Sequence, residues 1–235
     1  MKLLDTTGKG NTKIYKTMKS FNKPIRIAQL SLMPSIELCP SSGIADCFDN
    51  CLKFSGLASV YDSINRARQA KTDFWLNDQD AFLKQLIKEL TNFDKLCSKL
   101  NVLGVVRLNV LSDIQWEKFN IPQQFPDLFF YDYTKLAKRL GNTPINYKLM
   151  FSYSSAPKYR KQVDIALETN APITVVFNGK FPKTFLNRQV IDGDKSDIDN
   201  VMSGKVIIGL KVKGKQAKQS NSKFIVNSND LIAMV

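Results

Sequence analysis

The sequence predicts an α/β fold, a parallel βα barrel or an open part of one, behind a basic N-terminal arm. Three observations carry this. Short and nearly continuous apolar runs recur along the chain, "GVVRLNV", "DLFFYDY", "YKLMFSY", "PITVVFN" and "KVIIGLKV", with helical or loop text between most of them. Strands of that kind belong to parallel sheets covered by helices, because both faces are buried. Before them, the alternating, β-rich "IRIAQLSLM" begins at Ile25 and is ended by Pro34. Finally, polar residues collect just after the predicted strands: Ser112 and Asp113, then Asp132, Tyr133 and Thr134, then Ser152, Tyr153 and Ser154, then Asn178. In βα folds function gathers at the carboxyl ends of the strands.

Taken in order, residues 1–24 form the arm and residues 25–235 a single α/β domain, since 235 residues suffice for one well-cored domain and no composition shift divides them. The arm's "GKGNTKIYKTMKSFNKP" carries Lys9, Lys13, Lys16, Lys19 and Lys23 with little apolar periodicity. After the first strand comes a cysteine-rich loop, residues 37–54, and then two helices, "SINRARQAKTDFWL" and "DAFLKQLIKELTNFDKLCSKL". In the second helix Phe82, Leu86, Leu90, Phe93, Cys97 and Leu100 recur at spacings of three and four, one apolar stripe. Cys97 therefore reads as a small buried hydrophobe before it reads as a metal ligand. The remaining runs are the later strands, with "FLNRQVID" the weakest of them.

Hydrophobic residues make up 43% of the chain and charged residues 23%, which excludes a globally disordered protein. No stretch approaches the ~18 apolar residues of a membrane span, and the N-terminus lacks a signal-type apolar core, so a cytoplasmic protein without membrane contact is expected. The formal charge is +13. That excess points to a polyanionic partner, a nucleic acid or a phosphorylated substrate, or else serves solubility.

The loop "ELCPSSGIADCFDNCLKF" holds Cys39, Cys47 and Cys51, three of the chain's four cysteines, and the chain has no histidine. Without histidine, Cys/His zinc sites and histidine-activated nucleophiles are excluded. If Cys47 and Cys51 share one helical turn they face the same way, and Cys39 can return from the loop to join them. Three readings remain. A zinc site needs a fourth ligand, which would recruit Cys97. An iron–sulfur cluster held by three thiolates leaves one iron open. The third reading is three unliganded thiols.

Two further groups stand out. "DGDKSDID" places Asp192, Asp194, Asp197 and Asp199 together, without the glycine and terminal glutamate of an EF-hand; it reads as a hard-cation site, an anchor for a basic segment or a solvated turn. Lys211, Lys213 and Lys215 alternate, so in an extended segment they share a face, either contacting phosphates or guarding an exposed edge strand. Arg66 and Arg68, just after the loop, either balance a thiolate-bound cluster or hold an anionic substrate, or else sit on a solvated helix face.

The loop, with "VVRLNVLSD", "PDLFFYDYTK", "VIDGDKSDID" and "GKVIIGLKVKG" in that order, resembles the phage gene-product-88 family over most of residues 24–214. More distantly, the chain is similar to radical S-adenosylmethionine enzymes, partial βα barrels in which three cysteines after the first strand hold a four-iron cluster. The spacing differs, seven residues then three here against three then two there. The second resemblance implies a 4Fe-4S cluster on Cys39, Cys47 and Cys51. It also implies S-adenosylmethionine against Ser112 and Asp113, although the glycines of that family's turn are missing and Asp113 reads equally as a helix cap. Radical chemistry on a nucleic-acid or phosphorylated substrate would follow, with Arg66, Arg68, Lys211 and Lys213 as its anion contacts. The rival expectation is a basic nucleic-acid-binding or host-modulating phage protein whose metal, if any, is structural.

Overall fold

The computed structural model describes residues 1–7, 17–18, 24–49, 51 and 60–229. The arm's Lys9, Lys13, Lys16, Lys19 and Lys23 lie outside them. The chain runs β1 (Ile25–Gln29), α1 (Asp62–Asn77), α2 (Gln79–Leu100), β2 (Leu103–Arg107), β3 (Phe129–Thr134), β4 (Tyr147–Ser152), α3 (Arg160–Glu168) and β5 (Ile173–Asn178). It continues through β6 (Thr184–Phe185), β7 (Arg188–Asp192), α4 (Asp197–Met202), β8 (Ile207–Lys211), α5 (Lys215–Lys218) and β9 (Ile225–Asn227). Short 3-10 turns, in place of longer helices, fill the connections from β2 to β3 and from β3 to β4.

Among the described residues the strands form one nine-stranded sheet in the order β1-β2-β3-β4-β5-β8-β7-β6, with β9 added beside β5. Every pairing is parallel except the β6–β7 hairpin. The hairpin turns on Leu186 and Asn187, both at positive φ, the geometry that two-residue hairpin loops require. Five strands lie in sequence order, as in a βα barrel, but the sheet is open: no pairing among the described residues joins β1 to β6. Closure fails where β8 passes between β5 and β7, which reverses the strand order. β8 is thus an interior strand, and the expected lysine-guarded edge does not exist there. Lys215 begins a short helix after Gly214 at φ 89, so it does not continue an extended row with Lys211 and Lys213.

One face of the sheet packs beneath α1, α2, α3 and the 3-10 turns. Phe82, Leu86, Leu90, Phe93 and Cys97 supply the α2 stripe, the helix being capped by Asp78, which accepts from Ala81 N at 3.0 Å, and by Asn101 at φ 51. Cys97 is buried near the amino end of β2; a methyl group at Gly104 would clash with Leu128 and meet Cys97 Sγ at 3.1 Å. It is a core residue, remote from the cysteine loop.

The other face has two halves. Toward the amino ends of the strands, Ile198 and Val201 of α4 pack with Met18 onto Ile27, Val105, Tyr131 and Met150. Toward the carboxyl ends the same face is left open as a cavity. The first residues of the chain are also tied in: Leu3 and Leu4 are buried, their N–H groups donate to Glu89, and Asp5 forms a bridge with Gln29. With Thr17 accepting from Asp197 N, the N-terminal segment is anchored at two places.

Candidate functional site

The cavity, of about 270 Å³, lies at the carboxyl ends of β2, β3, β4, β5 and β8. It exists because β4 and β5 diverge. They pair at Phe151 with Ile173 and at Ser152 with Thr174; beyond that β5 takes β9 as its neighbour, Val176 opposite Ile225. Tyr153 N makes the last bond to β5, at Thr174 O, and Ser155 instead donates to Lys223 O from both its N–H and its hydroxyl. The segment leading into β9 therefore forms one wall, with Phe224 and Ile225 lining the space.

The cysteine loop forms the opposite wall. Its backbone is a succession of tight turns, with Ser42 N donating to Cys39 O and Cys47 N to Ser42 O, anchored in the core by Leu38 and Ala45. Cys51 N donates to Phe48 O at 3.2 Å, a three-residue step in place of the helical turn expected between Cys47 and Cys51. Cys39, Cys47 and Cys51 all line the cavity nonetheless. Cys39 Sγ donates to Leu111 O at 3.6 Å, and Asp113 N donates to Leu38 O at 2.8 Å, so the loop is stitched to the turn after β2. Burial, then the nearby Asp113, Cys51 and Cys47, push the Cys39 thiol up to about 12. Among the described residues no three Cys, Asp or Glu side chains are gathered closely enough to hold a metal ion.

Ser112 and Asp113 line the cavity, and both are bound into the protein. Ser112 Oγ donates to Asn109 Oδ1 at 2.8 Å, the same oxygen that accepts from Ile114 N and Trp116 Nε1. Asp113 accepts from Lys135 N at 2.8 Å and from Arg139 Nη1 at 2.6 Å; it does not cap the following turn, which has no side-chain cap. Arg139 also meets Glu117 at 2.8 Å, so one buried guanidinium serves two carboxylates. Behind it, Asp132 accepts from Asn109 N and Tyr147 Oη, and burial pushes its carboxyl up to about 7 against the pull of Arg107.

The cavity floor is Arg107 and Tyr133. Arg107 Nη1 lies 3.1 Å from Asp197 Oδ2 and its guanidinium 4.7 Å from the Tyr133 ring centre, while Tyr133 Oη donates to Asp197 Oδ1 at 2.6 Å. The acidic stretch is thus split. Asp197 is buried at the floor; Asp194 accepts from Lys211 N and lies 3.4 Å from Lys213 Nζ, anchoring a basic segment. The solvated turn expected for the whole stretch is not found.

Lys211 and Lys213 line the cavity, their side chains exposed to solvent. Arg66 and Arg68 do not line it: Arg66 is exposed on α1, while half-buried Arg68 lies near enough to Cys51 to feel its charge. Sequence reasoning missed Arg107, Lys135 and Ser42. Arg107 had a signal, a charged residue inside the apolar run "GVVRLNV", which demands a buried partner. Lys135 Nζ donates to Ser152 Oγ at 3.0 Å and sits 4.3 Å from the Phe224 ring centre, a meeting of three separate strands' ends that no local pattern announces.

No helix of the described residues is long and apolar enough to cross a membrane. Neither a curated protein nor a solved structure matches the chain significantly. The family model for gene product 88 matches residues 2–228, nearly the whole chain and every element of the sheet. The chain belongs to the gene product 88 family.

Proposed function

We propose that this is an iron–sulfur protein whose cavity resembles that of radical S-adenosylmethionine enzymes, with Cys39, Cys47 and Cys51 as the ligands of a 4Fe-4S cluster. The observation that carries the reading is that the three thiols, on one loop after β1, share a cavity at the carboxyl ends of parallel strands with the Ser112–Asp113 turn after β2. The donor set fits such a cluster: three sulfurs, no histidine, and room beside them. The loop must draw its thiols together as metal enters, the usual coupling of metal binding to local folding. Cys39, pushed toward its neutral form by burial and neighbouring negative charge, would change to thiolate only with a cation beside it.

A cluster with one open iron supplies single-electron reduction to a bound organic cofactor, for which S-adenosylmethionine is the candidate. The chain's own part is positioning. Arg139 and Lys135 N hold Asp113, Asn109 holds Ser112, and this turn forms the wall a cofactor would meet. Five parallel strands in sequence order, with α1, α2 and α3 on one face of the open sheet, support the reading. Lys211 and Lys213 at the cavity would attract a phosphorylated or nucleic-acid substrate.

Cys39→Ala tests the reading. Loading the protein with ferrous iron and sulfide without oxygen should give the visible absorption of a cluster in the parent chain and none in a folded Cys39→Ala variant. Equal absorption in both would remove Cys39 from the site. No cluster in either would favour a basic nucleic-acid-binding or host-modulating protein, whose affinity for duplex would survive Cys39→Ala and fall steeply with salt.

A further inference from the structure

The cavity carries more positive charge than its surroundings cancel. Arg107 is paired with Asp197, Lys213 with Asp194, and Asp113, the acidic residue among those lining the space, with Arg139. Lys135 and Lys211 are left over: among the described residues neither has a carboxylate at ion-pair distance. Lys135 is half-buried, and its ammonium is met by a hydroxyl and an aromatic ring instead of an anion. A half-buried charge with neutral partners is poised for an opposite charge.

A second, independent observation points to a ligand in the same space. Among the described residues Ser42 Oγ and Arg107 Nε are buried with no hydrogen-bond partner, and the two residues, 3% and 8% exposed, come from the cysteine-loop wall and the floor of this one cavity. Buried polar atoms in folded proteins nearly always find partners, so two orphans around one space mark what the space is built to hold.

We propose that the cavity binds a small phosphate monoester, its phosphoryl group neutralised by Lys135 and Lys211, with Ser42 and Arg107 supplying further hydrogen bonds. A monoester carries close to two negative charges at neutral pH and three terminal acceptor oxygens, which matches two free ammonium groups and a set of unspent donors. A diester within a polymer carries one charge and needs an open track for its flanking nucleotides. A cavity of about 270 Å³, walled by the cysteine loop and the segment before β9, is at the small end for ligand sites and suits a metabolite. The inference shares its cavity with the proposed function but rests on charge and on unpaired donors, not on iron.

Calorimetric titration of the full chain with ribose 5-phosphate, with ribose, and with a single-stranded oligonucleotide bearing hydroxyl ends tests it. Ribose 5-phosphate should bind and ribose should not. Lys135→Gln should weaken the phosphate about tenfold or more, and Lys211→Gln several-fold, the loss expected for a charge-assisted hydrogen bond and for a more exposed one. Should Lys135→Gln fail to fold, the contrast between the two sugars and the Lys211→Gln variant decide. The proposal is overturned if ribose and its phosphate behave alike, or if the oligonucleotide displaces ribose 5-phosphate and binds Lys135→Gln as well as the parent. The titrations are run on metal-free protein, so absence of a cluster and absence of this site are separate results.

Discussion

Arg139 donates to Asp113 at 2.6 Å while also holding Glu117 at 2.8 Å, so the turn after β2 and the 3-10 turn that follows it hang on one guanidinium that is almost wholly buried. Removing one partner from such a group leaves uncompensated charge in the interior, whereas the intact pair has already met its desolvation cost. Arg139→Ala should destabilise the fold by about 3–5 kcal/mol, by analogy with other broken buried pairs. Urea denaturation checks this; a loss under about 1 kcal/mol would mean that water reaches Asp113 and that the network is looser than described.

The thiol of Cys39 is pushed up to about 12 by burial and by Asp113, Cys51 and Cys47. Only the thiolate is alkylated, so at pH 8 the metal-free protein should modify Cys39 on the order of a thousandfold more slowly than a free cysteine. The rate should still be rising at pH 10, because raising the pKa favours the neutral form until that pH is passed. Mass spectrometry of timed iodoacetamide reactions measures it. A rate that levels off below pH 9 would show Cys39 in contact with solvent or a cation.

Asp46 sits at φ 52 and accepts from Lys223 N at 2.7 Å, while its own carbonyl accepts from Ser222 Oγ. This clasp joins the two cavity walls across 177 residues of sequence. Asp46→Ala removes the acceptor and places a residue poorly suited to the left-handed region there. Faster amide exchange at Lys223 and Phe224, with the α2 amides unchanged, is expected. Exchange unaltered at both would show that β9 pairing alone holds the wall.

Cys97 is a packing residue. Iron and sulfide loading should give Cys97→Ala the same iron content as the parent chain, whereas Gly104→Ala, which drives a methyl toward Leu128 and Cys97, should cost about 1–3 kcal/mol of stability. Iron assay and thermal unfolding of the two variants check both. Less iron taken up by Cys97→Ala than by the parent would bring α2 into the proposed site.

The strands from β1 to β5 and β8 were legible because each is a dense apolar run with a turn signal at its end, and the α2 stripe because its spacing is strictly helical. The β9 strand was not, since three residues paired with the carboxyl half of β5 leave no periodicity to read. The order reversal at β8 was hidden for a different reason: a parallel pairing between distant segments is settled by tertiary packing, not by local pattern. The three cysteines and the Ser112–Asp113 turn could be placed together because parallel strands send their carboxyl ends to one side. Lys135 and Ser42 could not, for each looks like ordinary loop text until β4 and β5 diverge and make the space between them.

Iron, zinc and acid-labile sulfide per chain, on protein purified without oxygen, test the central claim most directly. About four irons with matching sulfide are expected, the content of a 4Fe-4S cluster. Zinc alone, or no metal, would contradict the iron–sulfur reading.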